Sequence, residues 1–349
     1  MTTPETSRTI TFGVDTFGSL TREPDGSRTS QAQTLRDIAA EGQAADRAGV
    51  DVFSVGEHHR PDYAVSAPGI VLAGLATSTE RIRLGSAVVV LSSDDPVRVH
   101  ERFATLDALS SGRAEVILGR GSFTESFPLF GYRLEDYEEL FEEKLALFAA
   151  LRTSQPVTWK GTLTQDLRDA SLYPPIENGP LPTWIAVGGS PQSVVRAAHY
   201  DLPLMLAIIG GPVERFSPFS DLYRRALAEF GHSDNPVAYH SYGYVADTDE
   251  QAREEFFRPY TISTERIGAE RGWPAPTEES FLEEVEHGSM AVGSPETVAR
   301  KIAAGVRALG ASRFDLKIST GPLSHGKLMR SIELYGTRVA PLVRDMLAD

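Results

Sequence analysis

The sequence predicts an α/β protein: a single-domain (β/α)8 barrel formed by residues 1–349. Short apolar runs alternate with helical patterns eight times along the chain, which is typical of such a barrel at this length. A doubly wound sheet is the alternative, but the turn after the first strand, VDTFGSLTREPDG, lacks the GxGxxG pattern of that fold. Neither an internal repeat nor a low-complexity linker divides the sequence.

The predicted strands are compact and apolar rather than cleanly alternating, as expected for parallel strands covered by helices. They are 11–17, 51–56, 82–90, 114–118, 183–187, 203–209, 237–246 and 313–319. The predicted helices are 31–48, 97–110, 135–151, 191–199, 213–230, 249–269, 295–309 and 325–346. Glycines stand where helix C-caps belong, at Gly49, Gly112, Gly231 and Gly310.

Two stretches exceed what a barrel needs. Residues 153–182 hold two strand-like pieces, VTWKG and SLYPP, and residues 262–292 form a long polar segment. Long excursions in barrels are often lids or subunit contacts, and simple decoration is the alternative for both.

Composition excludes several classes of function. The net charge of −14 and the absence of any Lys/Arg-rich run argue against nucleic acid and anionic membranes as partners. The chain has no cysteine, which excludes disulfides, thiolate metal ligands and a cysteine nucleophile. The start, MTTPETSRT, is not apolar, and no run approaches the ~18 apolar residues of a membrane helix, so we expect a cytoplasmic protein.

The second strand is followed by adjacent ionisable residues, Glu57, His58 and His59. In a (β/α)8 barrel the active site lies at the carboxyl ends of the strands, so these residues are candidates for it. Neighbouring side chains of an extended chain point to opposite sides and the HExxH spacing is absent, which disfavours a metal site. Two alternatives remain: a polar corner in which Glu57 holds a histidine, or a histidine that acts as general base or hydrogen-bond donor near neutral pH.

The segments after the fourth and fifth strands are suited to an anion. In GGSPQS, Ser190 can cap a helix and Pro191 fits its first turn, while Gly188 and Gly189 let the backbone approach a phosphate. In ILGRGSF, Arg120 stands between two glycines and can clamp a phosphate with two hydrogen bonds. The alternatives are a plain capped helix and an arginine paired with an acidic neighbour.

Taken together, five segments resemble the luciferase-like flavin-dependent monooxygenase family, whose type member is the bacterial luciferase α subunit. They are EHH (57–59), GSAVVVLSSDDPVRVHE (85–101), GRAEVILGRGSFTESFPLFG (112–131), AVGGSPQSVVRAAHYDLP (186–203) and GSPETVARKI (293–302). The pattern extends over nearly the whole chain. The resemblance implies a TIM barrel of the bacterial luciferase type that binds reduced FMN at its mouth.

The resemblance also assigns roles to residues. It implies that His58 is the catalytic histidine at the reactive edge of the flavin, with Glu57 and His59 beside it. It implies that Ala87 and Val88 are joined by a non-proline cis peptide under the isoalloxazine ring. The other cofactor-binding residues that it implies are Gly119, Arg120, Ser122, Val187, Gly188, Gly189, Ser190 and Ser193. Ile208 matches a tryptophan that packs at the flavin.

Two positions depart from luciferase. Gly119 replaces a cysteine near the flavin C4a atom, which predicts open space there and argues against assuming light emission. Glu138 stands at about the place of a second phosphate-binding arginine. A carboxylate cannot bind phosphate in this way, so phosphate binding would depend on Arg120 and the loop after the fifth strand.

The resemblance implies a monooxygenase in which reduced FMN reacts with O2 to form a C4a-peroxyflavin that oxidises a small organic substrate. A separate NAD(P)H:flavin reductase would supply the reduced FMN, and a homodimer is expected. The alternatives are an F420-dependent hydride-transfer enzyme on the same barrel and a catalytically silent flavin-binding subunit. Aromatic residues near strand ends suggest an apolar pocket, namely Phe17, Phe123, Phe127 and Tyr242.

Overall fold

The computed structural model describes residues 10–22, 25–121, 123–153 and 155–348. The strands are β1 (Thr11–Thr16), β2 (Val52–Val55), β3 (Arg83–Ser86), β4 (Val89–Val90), β5 (Val116–Gly119), β6 (Val157–Trp159), β7 (Leu167–Ala170), β8 (Thr183–Val187), β9 (Leu204–Ala207), β10 (Val237–Val245), β11 (Ala291–Gly293) and β12 (Arg313–Lys317). The helices are α1 (Gln31–Ala48), α2 (Pro68–Ala76), α3 (Pro96–Leu109), α4 (Ser126–Phe130), α5 (Tyr137–Thr153), α6 (Pro191–His199), α7 (Ser217–Phe230), α8 (Asp249–Arg271), α9 (Glu278–Glu286), α10 (Pro295–Leu309), α11 (His325–Leu334) and α12 (Ala340–Ala348).

The main sheet closes into a barrel of parallel strands. Its order is β3-β2-β1-β12-β10-β9-β8-β5-β4, and β3 and β4 are two pieces of one barrel strand. The backbone N–H of Leu84 donates to the carbonyl of Arg113 at 2.8 Å, and the N–H of Glu115 donates to the carbonyl of Leu84 at 3.0 Å. These bonds join β3 to the segment that enters β5. The predicted (β/α)8 barrel is therefore confirmed, and each predicted strand overlaps an observed one.

The helices agree with the prediction over most of the chain. α1, α6 and α10 have the predicted bounds, whereas α2, α4 and α9 were not predicted. The predicted helix 325–346 is divided by a π-helical turn at Tyr335–Val339. Three of the four glycines cap helices in the left-handed conformation, but Gly112 lies two residues beyond the C-cap of α3, which is Ser110.

The two excursions differ from their predictions in part. β6 and β7 form an antiparallel pair, so the second strand is Leu167–Ala170 rather than SLYPP. The polar segment 262–292 contains the end of α8, then α9, and then β11, which pairs with β10. In the part of the chain that the structure describes, no helix combines the length and hydropathy that a bilayer crossing requires.

The floor of the barrel holds a buried ion cluster. Along β12, Phe314 and Leu316 belong to the core under the helices, while Arg313 and Asp315 point inward. Arg313 donates to Asp315 through two nitrogens at 2.7 Å each, and through Nη1 to Glu115 Oε1 at 2.6 Å. All three side chains are buried, so removal of one partner would leave an uncompensated charge.

We predict that Arg313→Met lowers the free energy of unfolding by about 3–5 kcal/mol, because Asp315 stays buried without its cation and Glu115 keeps only the partly exposed Arg83. The control is Arg338→Met, which removes an exposed pair with Glu296 and should cost less than about 1 kcal/mol. Urea unfolding followed by circular dichroism measures both. Equal losses in the two variants would contradict a structural role for the buried cluster.

Candidate active site

A cavity of about 890 Å³ opens at the carboxyl ends of the barrel strands. Because the strands are parallel, the residues that follow them meet at one mouth. The predicted site residues that line this cavity are Glu57, His58, His59, Ala87, Val88, Gly119, Arg120, Val187, Gly188, Gly189, Ser190 and Ser193. Ser122 lies outside the described residues.

His58 lies in an aromatic cage. Its ring stacks on Tyr63 with centroids 4.3 Å apart, and it contacts Phe17 and Phe123 at 5.0 Å each. The side chain is 9% exposed, and Nδ1 lies 3.9 Å from Glu125 Oε1. Burial lowers the pKa of His58 more than Glu125 raises it. The imidazole is therefore mainly neutral near neutral pH and can accept or donate a proton.

His59 has a different environment from its neighbour. Its Nε2 lies 2.8 Å from Glu57 Oε1, and this hydrogen bond raises the pKa of His59. Of the two alternatives that the sequence leaves open, the polar corner therefore describes Glu57 and His59. Among the described residues, no group of three or more His, Asp or Glu side chains could hold a metal ion.

Small apolar residues form one wall of the cavity. The peptide between Ala87 and Val88 is cis, as the family resemblance predicts. The prediction that Gly119 opens space is wrong. A Cβ atom on Gly119 would lie 2.7 Å from Val88 Cγ2, so the Val88 side chain already fills the position. The glycine instead allows Val88 to pack against β5.

The loop after β8 exposes backbone to the cavity. Gly189 has a φ of +120°, which only glycine adopts readily, and a Cβ on Gly188 would meet nothing within 4 Å. Ser190 caps α6, since the backbone N–H of Ser193 donates to its Oγ at 3.4 Å. This end of the cavity offers backbone N–H donors to an anion, whereas the Ser190 hydroxyl already donates to Gln192 Oε1 at 3.0 Å.

Arg120 is paired within the protein. Its guanidinium donates to Glu138 and lies 5.5 Å from the ring centroid of Tyr137. Arg196 also lies near Glu138, at 3.7 Å. Glu138 therefore partly neutralises Arg120, the cation that the sequence predicts to bind phosphate.

The structure corrects two other expectations. Ile208 is buried in the core between barrel and helices, and its neighbours Ala207 and Ile209 line the cavity instead. Phe17, Phe123 and Tyr242 line the cavity as expected, but Phe127 packs beside Tyr137 outside it.

The sequence did not predict several of the residues that line the cavity. The most notable are Asp15, Glu125, His240, Lys317 and the α8 residues that roof the cavity. Glu125 lies in the turn before α4 and the others lie inside strands or helices, where no local pattern distinguishes them from structural residues. Strand alternation could have placed Asp15 and Lys317 on the inner face of the barrel, but it does not distinguish a pocket from a packed floor.

The roof is held by contacts between α8 and the residues after β2. Arg60 and Glu270 form an ion pair, with Nη1 donating to Oε2 at 2.9 Å. The guanidinium carbons of Arg60 and Arg271 lie 4.7 and 5.1 Å from the ring centroid of Phe123. These contacts cover the cage around His58 and limit its access to water.

Fold and site together define a barrel enzyme with a buried histidine at the mouth. The sequence profile of the luciferase-like monooxygenases matches residues 16–313. The chain belongs to this family, which indicates an oxidoreductase.

Two relatives illustrate the family. The alkanal monooxygenase alpha chain of Photorhabdus luminescens is 25% identical over 247 residues, which are 68% of this chain and 65% of that one. The crystal structure of a monooxygenase from Streptomyces bottropensis has a TM-score of 0.80 at 22% identity and covers 95% of this chain and 99% of its own.

Two further structures share the fold and differ in cofactor. The oxygenating constituent of 3,6-diketocamphane monooxygenase from Pseudomonas putida, in complex with FMN, has a TM-score of 0.77 at 19% identity, with 95% of this chain and 98% of that chain covered. The coenzyme F420-dependent tetrahydromethanopterin reductase of Methanopyrus kandleri has a TM-score of 0.69 at 17% identity, with 95% and 99% covered.

We predict that His58 and His59 titrate on opposite sides of about pH 6.5, the ordinary histidine pKa. Burial lowers the pKa of His58, and Glu57 raises that of His59. NMR titration of the imidazole resonances measures both, and Glu57→Gln should lower only the pKa of His59.

The hydrogen bond between Glu57 and His59 also makes the free energy of unfolding depend on pH. Because the folded pKa of His59 is raised, its contribution is present below about pH 6.5 and is lost as pH rises through the raised value. An unchanged His59 titration in Glu57→Gln would contradict the pairing.

Proposed function

We propose that this protein is a flavin-dependent monooxygenase that uses reduced FMN and O2 to oxidise a small organic substrate. The observation that carries the proposal is the position of His58: a buried imidazole in an aromatic cage, in the same cavity as the Ala87–Val88 wall and the N-terminus of α6. The proposed catalytic group is His58, with Glu57 and His59 beside it.

The lining residues fit a flavin in shape and chemistry. Ala87, Val88, Gly119 and Val187 present a small apolar wall, which suits one face of a flat ring. At one end of the cavity, the backbone around Gly189 and Ser190 would face the phosphate. Arg120 and Ser193 line the same end, and together these groups would hold the phosphate.

When bound, reduced FMN supplies the electrons that activate O2, a chemistry that belongs to the cofactor. The protein supplies the proton and the surroundings. The neutral His58 imidazole can hold a proton at one ring nitrogen and accept one at the other. Tyr63, Phe17 and Phe123 around it exclude water, which strengthens hydrogen bonds to the imidazole.

The proposal includes a separate NAD(P)H:flavin reductase as the source of reduced FMN, a homodimer and a cytoplasmic location. The reductase and the homodimer rest on the family resemblance, and the location rests on the composition of the sequence.

A second candidate is F420-dependent hydride transfer, which the likeness to the F420-dependent reductase supports. The glycine-lined wall suits the deazaflavin ring equally well. FMN is favoured because the family profile that matches residues 16–313 is that of the luciferase-like monooxygenases.

We predict that the wild-type protein binds reduced FMN and, on mixing with O2, delays the appearance of oxidised FMN relative to free FMN. His58→Ala should shorten this delay on the order of 10²-fold while FMN affinity stays within about threefold, because the histidine acts on a proton and does not hold the phosphate. Stopped-flow absorbance measures the rate, and fluorescence titration measures the affinity.

The control is His232→Ala, since His232 lies after α7 and outside the cavity lining. An unchanged delay in His58→Ala, at wild-type FMN affinity, would contradict the role of His58. Binding of F420 but not FMN would favour hydride transfer, and FMN binding without O2 consumption would favour a silent subunit.

We predict that Arg120→Gln weakens FMN binding about tenfold but leaves riboflavin binding unchanged, because riboflavin lacks the phosphate. Glu138→Gln should strengthen FMN binding about two- to fivefold, since it frees Arg120 from an exposed carboxylate. Fluorescence titration with both flavins measures the difference. Glu135→Gln, an exposed acid paired with Arg133, is the control, and equal effects on FMN and riboflavin would contradict a phosphate contact.

A further inference from the structure

The cavity has a second wall, formed by β1, β10 and β12, that the cofactor does not need. In the ring order these strands are neighbours, and they lie across the barrel from β4, β5 and β8, which carry the flavin wall. The side chains of this second wall that line the cavity include Asp15, His240 and Lys317, together with Asp315, which is already paired with Arg313.

Lys317 is a buried lysine whose ammonium group makes few hydrogen bonds within the protein. It is 4% exposed, and its Nζ donates one hydrogen bond, to the carbonyl of Ser319 at 3.0 Å. Nζ lies 4.3 Å from the ring centroid of Phe17 and 4.4 Å from that of Tyr242. Within the described ranges, no carboxylate lies within 4 Å of it. An ammonium has three N–H donors, so it can still donate to a ligand.

Asp15 compensates the charge of Lys317 only in part, because its carboxylate raises the pKa of Lys317 less than burial lowers it. Asp15 Oδ2 lies 2.7 Å from His240 Nδ1, which orients the imidazole and leaves Nε2 available. Asp15 Oδ1 and Thr320 Oγ1 are both buried, and neither has a hydrogen-bond partner among the residues described. Buried polar groups that lack a partner are rare and costly, so this wall is incomplete without a polar ligand.

Phe17 connects this wall to the proposed reacting centre. Its ring contacts His58 at 5.0 Å, lies under Lys317 Nζ, and is stacked with His240 at 6.2 Å. A flat molecule held by Lys317 would therefore lie close to His58, between aromatic surfaces.

We propose that the β1–β10–β12 wall binds the substrate, and that Lys317 receives the acidic hydroxyl of a phenol or enol on a flat aromatic skeleton. His240 supplies a second polar contact. This inference deepens the proposed function and rests on it for the position of the cofactor on the opposite wall.

The polar groups of this wall fit a substrate hydroxyl better than a substrate carboxylate. Burial lowers the pKa of Lys317 to about 8, which approaches the ~10 of a phenol, so the two groups can share a proton. A carboxylate would bring a second oxygen toward Asp15, whose carboxylate cannot donate a hydrogen bond to it.

The test uses 2-naphthol, naphthalene and 2-naphthoate as probes, with the wild-type protein and Lys317→Met. Fluorescence titration should show that the variant binds 2-naphthol at least tenfold more weakly, with naphthalene binding changed less than threefold. Lys327→Met, which alters an exposed lysine on α11, should leave both unchanged. An equal loss for naphthol and naphthalene, or tighter binding of 2-naphthoate than of 2-naphthol, would overturn the inference.

A second measurement needs no variant. The absorption spectrum separates naphthol from naphtholate, and a nearby ammonium should lower the pKa of bound 2-naphthol by about 1 unit or more. An unshifted or raised pKa would overturn the inference. FMN titrations of the same samples keep the two proposals apart: failure of wild-type FMN binding would refute the proposed cofactor, whereas the naphthol comparison tests Lys317 alone.

Discussion

The parallel direction of the barrel strands is the constraint on which the rest of the structure depends. It brings the carboxyl ends of all strands to one mouth, and it requires that the ring close without a free edge. The backbone hydrogen bonds of the barrel are interrupted between β3 and β4, the two pieces of its third strand. There Ser86 replaces backbone bonds, since its Oγ donates to the carbonyl of Ile117 at 2.9 Å and accepts from the N–H of Ile117 at 3.0 Å. A serine side chain thus keeps the third strand joined to β5.

The buried charged side chains inside the barrel differ in how fully they are hydrogen bonded, and the difference follows their height along the barrel axis. On the floor, Arg313 satisfies Glu115 and Asp315 with three short hydrogen bonds, which is the pattern of a structural network. One layer higher, Lys317 and Asp15 keep unmet hydrogen-bonding capacity and line the open cavity. The same residue types therefore stabilise the barrel at one level and are available to a ligand at the next.

At the mouth of the barrel, neighbouring groups also have different environments. Adjacent histidines receive opposite pKa shifts because one enters an aromatic cage and the other meets a carboxylate. The wall that includes Ala87, Val88, Gly119 and Val187 is small and apolar, whereas the opposite wall is aromatic and ionisable. Such a division suits a site in which a cofactor ring and a substrate face each other, with His58 between them.

The sequence by itself determined the alternation of strands and helices, because apolar runs and helix caps are local signals. It also placed Glu57, His58 and Gly188 at the mouth, since parallel strands bring such residues together. It missed α2, α4 and α9. Only the tertiary structure decided that His58 is more buried than His59, that Glu138 partly neutralises Arg120, and that no carboxylate of the described residues lies within 4 Å of Lys317 Nζ. These facts depend on side-chain directions and on partners far apart in the chain: Asp15 and His240 are 225 residues apart, and only barrel closure brings them together.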